Sequence, residues 1–261
     1  MEKTEVNGTT IAYEIHGQGE PLLLIHGAGI DHTSWQPQIE PLGKMFQLIV
    51  PDVRGHGQSE QTSAPYTIEL FAEDMVCLLD KLEIKQTLIC GHSMGGPVAQ
   101  CIAAKHPERV KAIILADTNY GFEDTPFLRL VVALTKPLVR LMKIERMVDM
   151  SVRQITDRTD ARELFRKSYE PQVANPTNFW NIWQANDNFK GKKQLQEIAC
   201  PTLVLIAENN NATHKMGRTM ANMIPNAKLM TIKNAGHGLN WDNTEDFNAA
   251  IIEFCKKSDV H

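Results

Sequence analysis

Gly91-His92-Ser93-Met94-Gly95 joins an apolar run, Thr87-Leu88-Ile89-Cys90, to a segment in which Val98, Ala99, Ile102 and Ala103 recur at helical spacing. A short run without polar relief suits a strand buried on both faces of a parallel sheet. Pro97 falls in the first turn of the helix that follows, where its missing N–H costs nothing. A strand, a sharp turn and a helix therefore meet at a serine. In such a turn the serine takes a strained backbone conformation that lifts its hydroxyl clear of the sheet. Side chains two residues to either side would collide as strand and helix approach, which accounts for Gly91 and Gly95. The helix N-terminus then directs unpaired N–H groups at a developing oxyanion. Ser93 is a candidate nucleophile.

Outward from this turn, apolar runs recur at 22–25, 46–50, 87–90, 110–116, 203–207 and 228–232, and Asn7-Gly8 between short strand patterns at 5–6 and 11–15 signals a hairpin. Helix-length segments at 68–82, 97–105, 215–223 and 244–255 alternate with the runs. Alternation of this kind predicts an α/β fold with a mainly parallel, doubly wound sheet. Residues 119–199 break the rhythm: no strand pattern occurs, and Leu, Val, Met, Phe and Trp fall at helical spacing. The expected organisation is a core of residues 1–118 and 200–261 interrupted by an inserted helical cap of residues 119–199. Glycines end two of the strand runs, in His26-Gly27-Ala28-Gly29 and in Asp52-Val53-Arg54-Gly55-His56-Gly57. Ligands of open α/β sheets bind outside those carboxyl ends.

With 261 residues, 43% hydrophobic and 22% charged, the chain is long enough for one large α/β core with a small insertion. A formal net charge of -4 is too mild to point to a nucleic-acid partner. The five cysteines are odd in number and scattered in apolar patterns, so buried reduced thiols are expected rather than a disulfide or metal framework. The histidine spacing suggests no metal site. The first residues lack the apolar core of a signal peptide, and no stretch reaches the roughly 20 apolar residues needed to span a bilayer. A cytoplasmic protein without a stable membrane anchor, monomeric or homodimeric, is the expectation.

His26-Gly27-Ala28-Gly29, Asp52-Val53-Arg54-Gly55-His56-Gly57-Gln58-Ser59, Gly91-His92-Ser93-Met94-Gly95-Gly96 and Gly236-His237, in that order, resemble the α/β-hydrolase family over essentially the whole chain except the cap. The resemblance implies Ser93 as nucleophile, His237 as general base, and the backbone N–H groups of Ala28 and Met94 as the oxyanion hole. His237 also stands on its own, in a glycine-flanked loop after the last strand run, at the sheet edge that carries Ser93. His92 is expected to point away from the nucleophile, and His26 and His56 to brace loops. His16, His32, His106, His214 and His261 read as surface or loop residues.

The catalytic acid is where the chain departs from the family. The usual position, after the strand that reads Pro201-Thr202-Leu203-Val204-Leu205-Ile206-Ala207-Glu208, aligns with Asn210. An amide can orient an imidazole but carries no charge to stabilise the imidazolium. Asp117, ending the run Ala112-Ile113-Ile114-Leu115-Ala116, is the substitute that the resemblance suggests, because some branches, certain haloalkane dehalogenases and lactone hydrolases among them, place their acid there. Asn210 as a neutral orienter, Glu208 and Asp124 remain alternatives.

The cap carries Phe122, Phe127, Leu128, Leu130, Val131, Leu134, Leu138, Leu141, Met142, Met147 and Met150, then Phe179, Trp180 and Trp183. Most of these are packing residues, with Phe179, Trp180 and Trp183 the candidates for lining a substrate pocket. Arg129, Lys136, Arg140 and Lys143, interleaved among them, read as a solvated face. Together these features predict a cofactor-independent serine hydrolase. Its substrate would be a small or medium ester, thioester or lactone with an apolar portion. Hydrolysis of a C–C bond in a diketone is an alternative on the same residues, and a ligand-binding or signalling protein with weak turnover is another. A serine rather than a carboxylate nucleophile argues against dehalogenase or epoxide hydrolase chemistry.

Overall fold

A computed structural model describes residues 1–63, 65–121, 134 and 142–257. The chain opens with a hairpin of β1 (Glu2–Val6) and β2 (Thr9–His16). Its turn is Asn7-Gly8, both at positive φ, 43° and 69°, the conformation that matches the twist of a two-residue hairpin. The six apolar runs form β3 (Glu20–Ile25), β4 (Phe46–Pro51), β5 (Thr87–His92), β6 (Val110–Ala116), β7 (Thr202–Ala207) and β8 (Ala227–Ile232). Strand order is β1-β2-β4-β3-β5-β6-β7-β8, with the β1–β2 and β2–β4 pairs antiparallel and the rest parallel.

Side chains alternate across the sheet and build a core on each face. Leu23, Ile25, Ile89 and Ile113 point to one face. There they meet α2 (Ile68–Lys81), α3 (Gly95–Lys105) and α8 (Asn211–Met223) through Phe71, Val98 and Met220. Leu22, Leu24, Cys90 and Ile114 point to the other, against α1 (Gln36–Gly43) and α10 (Thr244–Lys257) through Leu42, Phe247 and Ile251. The doubly wound arrangement follows. Sequence pattern does not announce α1, whose eight residues include Pro37 and Pro41. Pro37 sits in its first turn, where no donor is missed.

Between β6 and β7 lie α4 (Ile144–Ile155), α5 (Thr159–Ser168), α6 (Glu170–Ala174) and α7 (Pro176–Asn188). Val148, Val152, Phe165, Tyr169 and Phe179 of this segment pack with Ile30 and Trp241, from the stretches that follow β3 and β8. The helices therefore rest over the carboxyl ends of the strands. Met150 of α4 and Leu134 are exposed, at 58% and 72%, so neither is a packing residue. Phe122, Asp124, Phe127, Leu128, Arg129, Leu130, Val131, Lys136, Leu138, Arg140 and Leu141 lie outside the described residues.

The loop after β4 is fastened by a buried ion pair. Arg54 donates to Asp74 of α2 through Nε and Nη2, at 2.7 and 2.6 Å, and to the Asn7 carbonyl at 2.9 Å. Hairpin, loop and helix are joined in one network. Arg54→Ala strands the Asp74 carboxylate in the interior and is expected to cost about 3–5 kcal/mol, measurable by urea denaturation.

Candidate active site

Ser93 sits between β5 and α3 with φ of 52°, in the left-handed region that L side chains seldom adopt. The close approach explains its glycines. A Cβ on Gly91 would strike the Gly95 carbonyl, and one on Gly95 would strike that of Ile25. The turn is pinned from β6, since the Ser93 N–H donates to the Ala116 carbonyl at 3.1 Å and the Thr118 hydroxyl donates to the Ser93 carbonyl.

His237 arrives from the loop between β8 and α9 (Leu239–Asp242), and its Nε2 lies 3.0 Å from Ser93 Oγ. Several peptides of that loop are held. The Gly236 N–H donates to Asp242 Oδ2 at 2.8 Å, and the Gly238 N–H donates to the Ile155 carbonyl at the end of α4 at 2.5 Å. Asp242 in turn accepts from the Thr156 hydroxyl. The His237 carbonyl accepts from His92 Nε2 at 2.8 Å. His92 thus braces the loop that carries His237. Burial, and then the neighbouring His237, push the His92 pKa down to about 4, so it stays a neutral donor.

Asp117 ends β6 at φ of 41° and is fully buried. Its Oδ2 accepts from His237 Nδ1 at 2.6 Å and from Asn210 Nδ2 at 2.6 Å. Its Oδ1 accepts from the Ala207 N–H at 3.1 Å and the Thr213 hydroxyl at 2.5 Å. Burial pushes its pKa up, but these hydrogen bonds, led by His237, outweigh burial and hold the carboxyl below its ordinary value. Asn210 Nδ2 is 3.4 Å from His237 Nδ1. With the Nδ1 proton directed at the carboxylate, that nitrogen cannot accept, so the Asn210 amide serves Asp117 instead. Nε2 is then the bare nitrogen, facing a hydroxyl able to give up its proton. Glu208 is exposed and accepts from the Asn234 N–H at 2.9 Å. Asp124 is not among the described residues.

Opposite His237, the stretch after β3 comes close enough that a Cβ on Gly27 would lie 3.1 Å from Ser93 Cβ. Among the described residues, neither the Ala28 nor the Met94 N–H donates to a protein acceptor. Tyr169 steadies this stretch by donating to the Ala28 carbonyl at 3.0 Å, with its ring in the space a Gly29 side chain would need. The other described histidines have structural partners, and His261 lies outside the described residues. His26 Nδ1 donates to the Gly27 carbonyl at 2.8 Å while its Nε2 accepts from Val53 N–H at 3.0 Å. His56 donates to backbone carbonyls, and burial lowers its pKa to about 3. Asp31, His32 and Asp52 bring ligand-type atoms within 4.8 Å of one another. They hydrogen-bond within the chain: Asp52 accepts from His32 and the Gln58 N–H, and Asp31 from Thr33.

A cavity of about 310 Å³ opens on Ser93 and His237, at the small end of ligand sites. Trp183 lines it, but Phe179 and Trp180 do not. Phe179 is 1% exposed and turns into the helix cluster, its ring 5.3 Å from that of Trp180, which corrects the expectation that both face substrate. Asn119, Ser151, Gln154, Tyr169, Asn186 and Met216 line the cavity as well. Of these, Asn119 follows a strand end and was open to the strand-end rule. Ser151, Gln154, Tyr169 and Asn186 are on or beside helices with no motif to mark them. A more open groove of about 550 Å³ also meets His237, bordered by Arg153, Gln154, Asn210 and Asp242.

No helix among the described residues is long and apolar enough to cross a membrane. The chain is 27% identical over 254 residues to a putative carbamate hydrolase, RutD, of Azorhizobium caulinodans, covering 95% of each chain. It superposes on the enol-lactonase of Burkholderia xenovorans with a TM-score of 0.86, 25% identity, and coverage of 98% of this chain and 100% of that one. A thermophilic esterase of Thermogutta terrifontis gives a TM-score of 0.85 and 27% identity, over 98% of this chain and 97% of the other. The sequence model described as alpha/beta hydrolase fold matches residues 20–244, and with a sheet and nucleophile turn of this form the chain belongs to the α/β-hydrolase fold family.

Proposed function

We propose that the protein is a serine hydrolase that cleaves a small carboxylic ester, thioester or lactone through an acyl-enzyme. The observation that carries this reading is the hydrogen-bonded line from Asp117 through His237 to Ser93, at 2.6 and 3.0 Å, on a strained turn. In the proposed mechanism Ser93 Oγ attacks the carbonyl carbon while His237 Nε2 takes the hydroxyl proton. Asp117 stabilises the imidazolium, and the Ala28 and Met94 N–H groups hold the oxyanion. As the tetrahedral centre collapses, the bond to the leaving oxygen or sulfur breaks and His237 delivers its proton to that atom. Water then gives a proton to His237 and attacks the acyl-enzyme; as the acyl–Oγ bond breaks, His237 returns that proton to Ser93 and the acid is released. Residues 119–199 act as a cap that closes the acyl site. The hydrolytic names of similar proteins, on a carbamate, an enol-lactone and an ester, accord with this chemistry.

An active-site-directed fluorophosphonate tests the reading. One equivalent is expected to attach to Ser93, and Ser93→Ala is expected to prevent it. Absence of labelling at concentrations that modify a known esterase favours a binding protein on this scaffold.

A further inference from the structure

The cavity and the groove divide the space around Ser93 and His237 unequally. Ser93 lines the cavity of about 310 Å³, whereas the more open groove meets His237 and not Ser93. The acyl group stays bound to Ser93 once the leaving group has departed, so it lies in the cavity that Ser93 lines.

That cavity holds a pair of amides from two different elements, Asn119 just beyond β6 and Asn186 in α7. The Asn119 carbonyl oxygen is already taken by the Gly121 N–H at 2.9 Å. Its NH₂ group stands 3.5 Å from Asn186 Oδ1, at the outer limit of a hydrogen bond. Among the described residues neither side-chain NH₂ makes a shorter bond. Both amides consequently offer N–H donors to the cavity, while Trp183, Ile155 and Met216 give it apolar wall. Donor amides beside an apolar wall suit an acyl chain interrupted by an oxygen acceptor, and leave a donor unpaired against a plain alkyl chain.

We infer that the preferred acyl group carries a second, neutral carbonyl along its chain, recognised by Asn119 and Asn186. The inference rests on the serine-hydrolase reading above. Its test compares kcat/KM for the p-nitrophenyl esters of hexanoate, 4-oxohexanoate, 5-oxohexanoate and glutarate, the last presenting a carboxylate as acceptor. One of the two oxo esters is expected to exceed hexanoate by about tenfold, the scale of one satisfied hydrogen bond, and to exceed the glutarate ester as well. Asn119→Leu and Asn186→Leu are each expected to bring the oxo-to-hexanoate ratio close to one. The ratio is taken within each variant, so partial misfolding, which removes active enzyme for all esters alike, cancels.

Equal or faster turnover of hexanoate in the unaltered protein, or an oxo preference that survives both substitutions, overturns the inference while leaving the hydrolase reading intact. Faster turnover of the glutarate ester assigns the amides to a carboxylate and overturns the neutral assignment. No turnover of any ester together with no fluorophosphonate labelling removes the hydrolase reading and the inference with it.

Discussion

Ser93→Ala is expected to lower kcat by about 10⁶, and Ser93→Ala combined with His237→Ala to lower it scarcely further, because nucleophile and base act as one unit. The geometry gives the reason. His237 Nε2 has Ser93 Oγ as its partner at 3.0 Å, so an imidazole without that hydroxyl has no proton to take. Activity left in either variant would reflect oxyanion stabilisation and substrate positioning by Ala28 and Met94, which the substitutions do not touch. Steady-state hydrolysis of p-nitrophenyl hexanoate, with trace wild-type contamination checked by fluorophosphonate titration, measures the effect. A Ser93→Ala protein retaining more than about one hundredth of the rate is incompatible with an acyl-Ser93 intermediate.

Asp117→Asn is expected to lower kcat about 10⁴-fold, about 5.5 kcal/mol of barrier, since the amide offers no charge to the imidazolium and permits the wrong tautomer. Asn210→Asp is expected to lower activity rather than raise it. It places a second carboxylate where the amide donates to Asp117 at 2.6 Å, and two carboxylates at that separation share a proton. With both changes together, a charge returns 3.4 Å from His237 Nδ1, and partial recovery over Asp117→Asn alone is expected. If Asp117→Asn stays within tenfold of wild type while Asn210→Asp accelerates turnover, the acid has been misassigned.

The pH dependence has a definite sign. Asp117, held below its ordinary value, adds stability that is fully present above the unfolded carboxylate value of about 3.9. That stability is lost as pH falls through the lower folded value, and Asp117→Asn should show less of this acid-induced loss.

The central strands were legible because they are buried on both faces. Leu22 to Ile25 of β3 and Leu88 to Cys90 of β5 are fully buried, and such strands read as unbroken apolar runs. Ser93 and His237 stood out because glycine neighbours and strand ends mark places where backbone must approach closely. The proposed acid did not, since β6 and β7 end side by side. Asp117 and Asn210 touch each other, and no spacing rule says which of two such groups meets an imidazole. Phe179 and Trp180 fall away from the cavity for a related reason. Phe179 and Trp183 are one helical turn apart, so periodicity places them on the same side of α7. Which of them reaches the cavity is set by how α7 tilts onto its neighbours, and Phe179 is drawn into the cluster with Phe165 and Tyr169.

The helices between β6 and β7 are fastened to the loop that carries His237, through Ile155 to Gly238 and Thr156 to Asp242, and to the stretch after β3 through Tyr169 and Ala28. For anyone recombining parts among related proteins, these helices are therefore not interchangeable. A graft taken from a relative must bring its own partners for residues 28, 238 and 242, or it will displace the imidazole of His237.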